Sequence, residues 1–133
     1  MSITENEITN NLAHLGGRDA DVAYDFILKP FGFSHKDIER VDTQVSYGTT
    51  IPDLVIYLKN HTQKRIEVKI NNDPLTDSEK KATNRDLFIV PDFYAHIGDI
   101  PVRYKTWTDF FEYCYRQGCQ MQGLNSLKFV LGF

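Results

Sequence analysis

IPDLVIYLKNHTQKRIEVKI, residues 51–70, is the stretch that decides the fold. Two runs rich in Val, Ile, Leu and Tyr enclose the polar Lys59-Asn60-His61, the pattern of a strand, a loop and a returning strand. Side chains alternate between the two faces of a strand. Leu54, Ile56 and Leu58 therefore share one side of the first strand, and Asp53, Val55 and Tyr57 the other. On the second strand Ile66, Val68 and Ile70 share one side, and Arg65, Glu67 and Lys69 the other. For both apolar rows to lie against one core, Leu54 must pair with Ile66, because a slip of one residue turns a whole row to the wrong face. That register puts Asp53 opposite Glu67, with Lys69 beside them. Cross-strand partners lie roughly 4.5–5.5 Å apart at Cβ, close enough for two carboxylates to share a divalent cation. Without a cation, like charges so placed repel and raise a pKa.

Ile51-Pro52-Asp53, followed across a hairpin by Glu67-Val68-Lys69, resembles the PD-(D/E)XK signature of the nuclease superfamily that includes many restriction endonucleases and Holliday junction resolvases. The resemblance implies an α/β fold with a restriction endonuclease-like core: a mixed sheet of four to five strands with helices on both faces, in one domain over residues 1–133. It implies metal-dependent hydrolysis of nucleic-acid phosphodiesters, with DNA and endonuclease action as the first expectation. The site would comprise Asp53, Glu67, the Val68 backbone carbonyl, Lys69 and Glu5. Its oxygen donors suit Mg²⁺ or Mn²⁺, since hard cations prefer carboxylate and carbonyl oxygen. Lys69 would orient or deprotonate the attacking water, or neutralise charge in the transition state. On this reading alanine at Asp53, Glu67 or Lys69 removes cleavage and leaves the fold intact. The plainer alternative is an amphipathic hairpin with a solvated Asp-Glu-Lys face.

The 133 residues are a single-domain length, and 41% hydrophobic with 25% charged is ordinary for a globular protein. A formal net charge of −3 offers no global basic field, so nucleic-acid binding must rely on local positive charge and metal. No apolar run approaches the roughly 20 residues of a membrane span. The start SITENEITNN lacks the basic and apolar regions of a signal peptide. The expectation is a cytoplasmic protein with no membrane partner. Cys114 and Cys119 have no neighbouring His at zinc spacing and are read as free thiols. No phosphate loop of the G-x-x-x-x-G-K type occurs, and the four His residues belong to no local nucleophile motif.

Thr4-Glu5-Asn6-Glu7 fits a capping box, opening a helix to about Leu15 with Ile8, Leu12 and Leu15 inward. Glu5 begins that inward stripe, and in the resembled superfamily a first-helix Glu often lies near the metal. Stabilisation of the helix dipole is the bland alternative. A second helix starts near Asp19, carries Val22, Ala23, Phe26 and Ile27 inward, and ends at Pro30. Val41–Tyr47 alternates as a first strand, giving an antiparallel meander with the hairpin. Gln44 on that strand either reaches the site or faces water. Thr76-Asp77-Ser78-Glu79 opens another helix, whose Lys80 and Lys81 are candidates for phosphate contacts. Where the family commonly supplies a Gln or Lys there, this chain has Glu79.

Asp86–Pro91 reads as a buried strand added after a crossover, and its Pro91-Asp92 pair as a decoy with no E-x-K following. Val102–Lys105 reads as an edge strand. Thr106 caps a helix carrying Trp107, Phe110, Phe111 and Cys114 on one stripe, read as core-facing rather than base-stacking. Asn125–Phe133 reads as a strand or a docked tail, whose Phe129, Val130, Leu131 and Phe133 could seal a homodimer or another protein contact. The rival to an enzyme, favoured by the small size and negative net charge, is a nuclease-like binding or regulatory subunit whose partner supplies catalysis.

Overall fold

The structure, a computed structural model, describes residues 3–43, 53–71, 85–93 and 103–133. Helix α1 (Glu5–Ala13) starts at Thr4, whose Oγ1 accepts the Glu7 N–H at 3.2 Å, and it buries Ile8, Thr9 and Leu12. Helix α2 (Gly17–Leu28) buries Val22, Ala23, Phe26 and Ile27 as the spacing predicts, with Tyr24 and Leu28 beside them. The Tyr24 hydroxyl donates to the Leu12 carbonyl at 2.9 Å and ties the two helices together. Pro30 then sits in a 3₁₀ turn, Lys29–Phe31, that ends the helical run.

Strand β1 spans Ile38–Thr43, so it begins three residues ahead of the Val41 start read from the sequence. The reason lies in the preceding turn. Ser34 and Asp37 form a reciprocal cap around His35–Asp37, with the Asp37 carboxylate accepting the Ser34 N–H at 2.8 Å. The Asp37 carbonyl accepts the Lys59 N–H at 2.8 Å, which delivers Ile38 opposite Leu58 and starts the pairing there. The remainder of the predicted strand, Gln44 included, lies outside the described residues, as do Lys80, Lys81 and the helix expected from Thr76.

Strands β2 (Leu54–Leu58) and β3 (Gln63–Val68) are the hairpin, and Leu54 pairs with Ile66, the register that alternation demanded. Strand β4 (Leu87–Val90) runs parallel to β3, and β5 (Tyr104–Thr106) runs parallel to β4 at the sheet edge. The result is an α/β fold with a five-stranded mixed sheet in the order β1-β2-β3-β4-β5, antiparallel up to β3 and parallel beyond it. Every residue of β4 is buried, as a strand flanked on both sides requires. Leu54, Ile56, Ile66, Val68, Leu87 and Ile89 share one core with the described helices, while Val55, Phe88 and Val90 are buried outside that cluster.

Helix α3 (Trp107–Arg116) is capped by Thr106 Oγ1, which accepts the Asp109 N–H at 3.1 Å. Its stripe of Trp107, Phe110, Phe111 and Cys114 is fully interior, and Trp107 meets Phe110 edge to face at 5.3 Å. The core role read for that stripe holds. Cys114 and Cys119 are buried free thiols. Burial pushes the Cys114 thiol up to about 12, so it is no nucleophile near neutrality. Among the described residues no helix is long and apolar enough to cross a membrane.

The C-terminal segment corrects the expectation of a strand or tail: Asn125–Leu131 is helix α4, ended by Gly132 in the left-handed region. Leu124 and Leu127 are buried three residues apart and Leu131 packs on the same core, whereas Phe129 is 86% exposed. A strand would place Leu127, Phe129 and Leu131 on one side, so the exposed Phe129 identifies helical spacing. Leu127→Ala should lower unfolding free energy by about 2–4 kcal/mol. Phe129→Ala should change it by less than about 0.5 kcal/mol. Urea melts of the two variants check the pair.

Candidate functional site

The hairpin and the start of α1 bring four of the expected residues into one neighbourhood. Asp53 precedes β2 and its Oδ2 accepts the Val68 backbone N–H at 2.7 Å, across the strand junction that the Leu54–Ile66 register creates. The same register sets Glu67 beside the Asp53 carboxyl, close enough for its charge to raise it. Val68 thus meets Asp53 through its amide; its carbonyl is the group the resemblance assigned. Lys69 follows directly after β3 and is buried, with Nζ 3.6 Å from Glu5 Oε2. Its carbonyl accepts the Trp107 Nε1–H at 2.7 Å, and its N–H donates to Ile89 O at 2.8 Å, so core groups fix the backbone that presents the amine. The acids and the amine gather at the carboxyl end of β3, beside the parallel β4, where open α/β sheets commonly bind ligands.

Charge on the row of Arg65, Glu67 and Lys69 is balanced pair by pair. Arg65 Nε lies 3.1 Å from Asp86 Oδ2, Glu67 Oε2 lies 2.6 Å from Arg85 Nε, and Lys69 faces Glu5. Arg85 and Asp86 were not singled out in the sequence. They stand together just ahead of β4 and pair with Glu67 and Arg65 in opposite senses, so two buried or half-buried ion pairs fix β4 against β3. A charged dipeptide at the mouth of an apolar run was the signal available. Its meaning depends on the parallel pairing of β3 with β4, which local periodicity does not encode. Asp92, read as a decoy, accepts the Thr108 hydroxyl at 2.8 Å and is exposed.

Asp53 is the electrostatic centre of the group. Burial, then the adjacent Glu67 carboxylate, push its carboxyl up to about 8 against the opposing pull of the Val68 N–H; Glu5 adds to the push. A raised carboxyl binds a proton in the folded state that the unfolded chain has released. Its stabilising contribution is therefore complete below the ordinary Asp value near 4 and is lost as pH rises through about 8. The expected result is falling stability between about pH 4 and pH 8 in the absence of metal. Asp53→Asn, which keeps an acceptor for the Val68 N–H, should flatten that part of the profile. Thermal melts across the pH series check it.

Among the described residues no three His, Cys, Asp or Glu side chains group to hold a metal. The acids that meet are the pair Asp53 and Glu67, while Glu5 is engaged by Lys69. That pair fits Mg²⁺ or Mn²⁺ in donor chemistry, because such cations often take one or two carboxylates and complete their shell with water and substrate oxygens. Two carboxyls whose mutual repulsion already raises one of them would gain from a shared cation. Arg85 is the competing feature, since its Nε takes the Glu67 oxygen from the opposite direction. Compared with known proteins, the chain matches no protein-family model, no curated protein and no solved structure.

Proposed function

We propose that the chain is a metal-dependent nuclease with a restriction endonuclease-like core, hydrolysing phosphodiester bonds of DNA. One observation carries the reading: Asp53 and Glu67 meet across the β2–β3 junction, where burial and then the Glu67 charge push the Asp53 carboxyl up to about 8, with the Lys69 amine nearby on Glu5. Asp53 and Glu67 are the residues that would hold Mg²⁺ or Mn²⁺. When bound, such a cation polarises a phosphate and acidifies water. The chain's own part is positional. Asp53 is set by the Val68 N–H and Glu67 by Arg85, while the Lys69 backbone is pinned by Trp107 and Ile89. From that place Lys69 would orient the attacking water or neutralise charge as the phosphate is attacked, with Glu5 holding its amine in place.

The experiment is incubation of the purified protein with Mg²⁺ or Mn²⁺ and a panel of linear, circular and branched DNA, with RNA in parallel. The reading expects metal-dependent cleavage that EDTA stops; no cleavage of any substrate would refute it. A second reading has its own observation. Arg85 Nε sits 2.6 Å from Glu67 Oε2 with both side chains largely buried, an arrangement that neutralises the acid without any metal. A catalytically silent binding or regulatory subunit would be built that way, and it predicts no Mn²⁺ uptake at this pair.

A further inference from the structure

The described cations divide into two populations. Arg40, Arg65, Lys69 and Arg85 each have a carboxylate within 4.0 Å. The others have none among the described residues; Arg18, Lys36, Lys59 and Lys128 are scattered, and the remaining five are Lys29, Lys64, Arg103, Lys105 and Arg116. These five come from α2's end, β3, β5 and α3, yet they converge. Lys64 Nζ lies 4.9 Å and Arg103 Cζ 5.1 Å from the centroid of the same Phe31 ring. Arg103 Nη1 donates to the Pro30 carbonyl at 2.7 Å, and Pro30 lines a cleft of about 380 Å³ together with Lys29, Lys105 and Arg116. Lys105 Nζ lies 5.6 Å from the Phe26 ring on the wall of that cleft. Asp109 and Glu112 line the α3 side, so the cleft itself holds three cations against two acids, with Lys64 and Arg103 adjoining it at Phe31, on a chain whose formal net charge is −3.

Gathering cations without acid partners opposes folding through self-repulsion, and the rings beneath them return only part of that cost. A chain of phosphates would return the rest, since each contacted phosphate releases condensed counterions. We propose that this ring-backed cleft and the adjoining Phe31 face bind the phosphate backbone of nucleic acid, away from the Asp53–Glu67 pair. Lys105 is level with Ile89 and Val68, so face rather than end separates the two places: Lys64 and Lys105 share the parity of the core-facing Ile66 and Ile89, whereas Glu67 has the opposite parity. The choice of nucleic acid as the partner rests on the nuclease reading; the cationic surface itself does not.

The test uses anisotropy of a fluorescein-labelled DNA strand and its duplex, titrated in EDTA with the full chain over about 50–200 mM salt. Lys64→Gln/Arg103→Gln should bind at least about tenfold more weakly at the low-salt end. For the duplex its slope of log K against log salt should be shallower by up to about 1.8, or about 0.9 for each lost phosphate contact, and for the single strand by about 0.7 for each. Lys29→Gln/Lys105→Gln should repeat the loss without touching the Arg103–Pro30 hydrogen bond, so the test survives if the first pair melts early. Unchanged affinity and slope in a folded variant of either pair overturns the proposal, as does tighter binding of polyglutamate than of DNA. Cleavage scored alongside separates the two ideas. DNA binding through these cations with no cleavage leaves the surface standing and removes the nuclease, and cleavage with unaltered binding in the variants does the reverse.

Discussion

Asp53→Asn should lower metal-dependent cleavage by on the order of 10³-fold or more, comparable with losing a principal electrostatic group from an active site. The substitution keeps size and an oxygen that can accept the Val68 N–H, which Asp53 Oδ2 now does at 2.7 Å. What it removes is the negative charge that a cation needs. The same change should leave the metal-free protein at least as stable as the parent above about pH 8, because it ends the burial of a charge and the repulsion with Glu67 that together raise the Asp53 carboxyl. Cleavage rates and thermal melts on one preparation therefore move in opposite directions. Loss of both together would mark Asp53 as a structural group instead.

Glu67→Ala should cost about 3–5 kcal/mol of unfolding free energy as well as cleavage, because it strips a carboxylate from Arg85 at 2.6 Å with both side chains largely buried. This differs from the expectation drawn on the sequence, that alanine at any of the three motif positions would spare the fold. Arg85 is the physical reason. Glu67→Gln keeps an acceptor for the guanidinium and should cost clearly less. Glu67→Ala combined with Arg85→Ala should fall short of the sum of the single effects, because the pair acts as a unit. Urea unfolding of the four variants measures this, and additive losses would show that the pair is not coupled.

How far the site could be read without coordinates follows from which contacts are local. The parity of Leu54, Ile56, Ile66 and Val68 leaves one register that seats both apolar rows, and that register alone brings Asp53 to Glu67. Glu5 could be placed because the stripe of Ile8 and Leu12 points it toward the core, where it meets Lys69. Arg85 and Asp86 escaped because they act only once β4 has docked parallel to β3, a pairing between segments distant in sequence. The ring-backed cations escaped for the same reason, since residues 29, 64, 103, 105 and 116 form no run. At the C-terminus, too few apolar positions stood between Asn125 and Phe133 to separate a period of 3.6 from a period of 2. It took the burial of Leu127 beside an outward Phe129 to distinguish them.

The central claim is that Asp53 and Glu67 together make a seat for a divalent cation, and a calorimetric titration of Mn²⁺ into the metal-free protein near pH 7.5 tests it most directly. One Mn²⁺ per chain, with uptake lost in Asp53→Asn and weakened in Glu67→Gln, is the predicted result. No saturable uptake, or uptake that both variants leave unchanged, would contradict it.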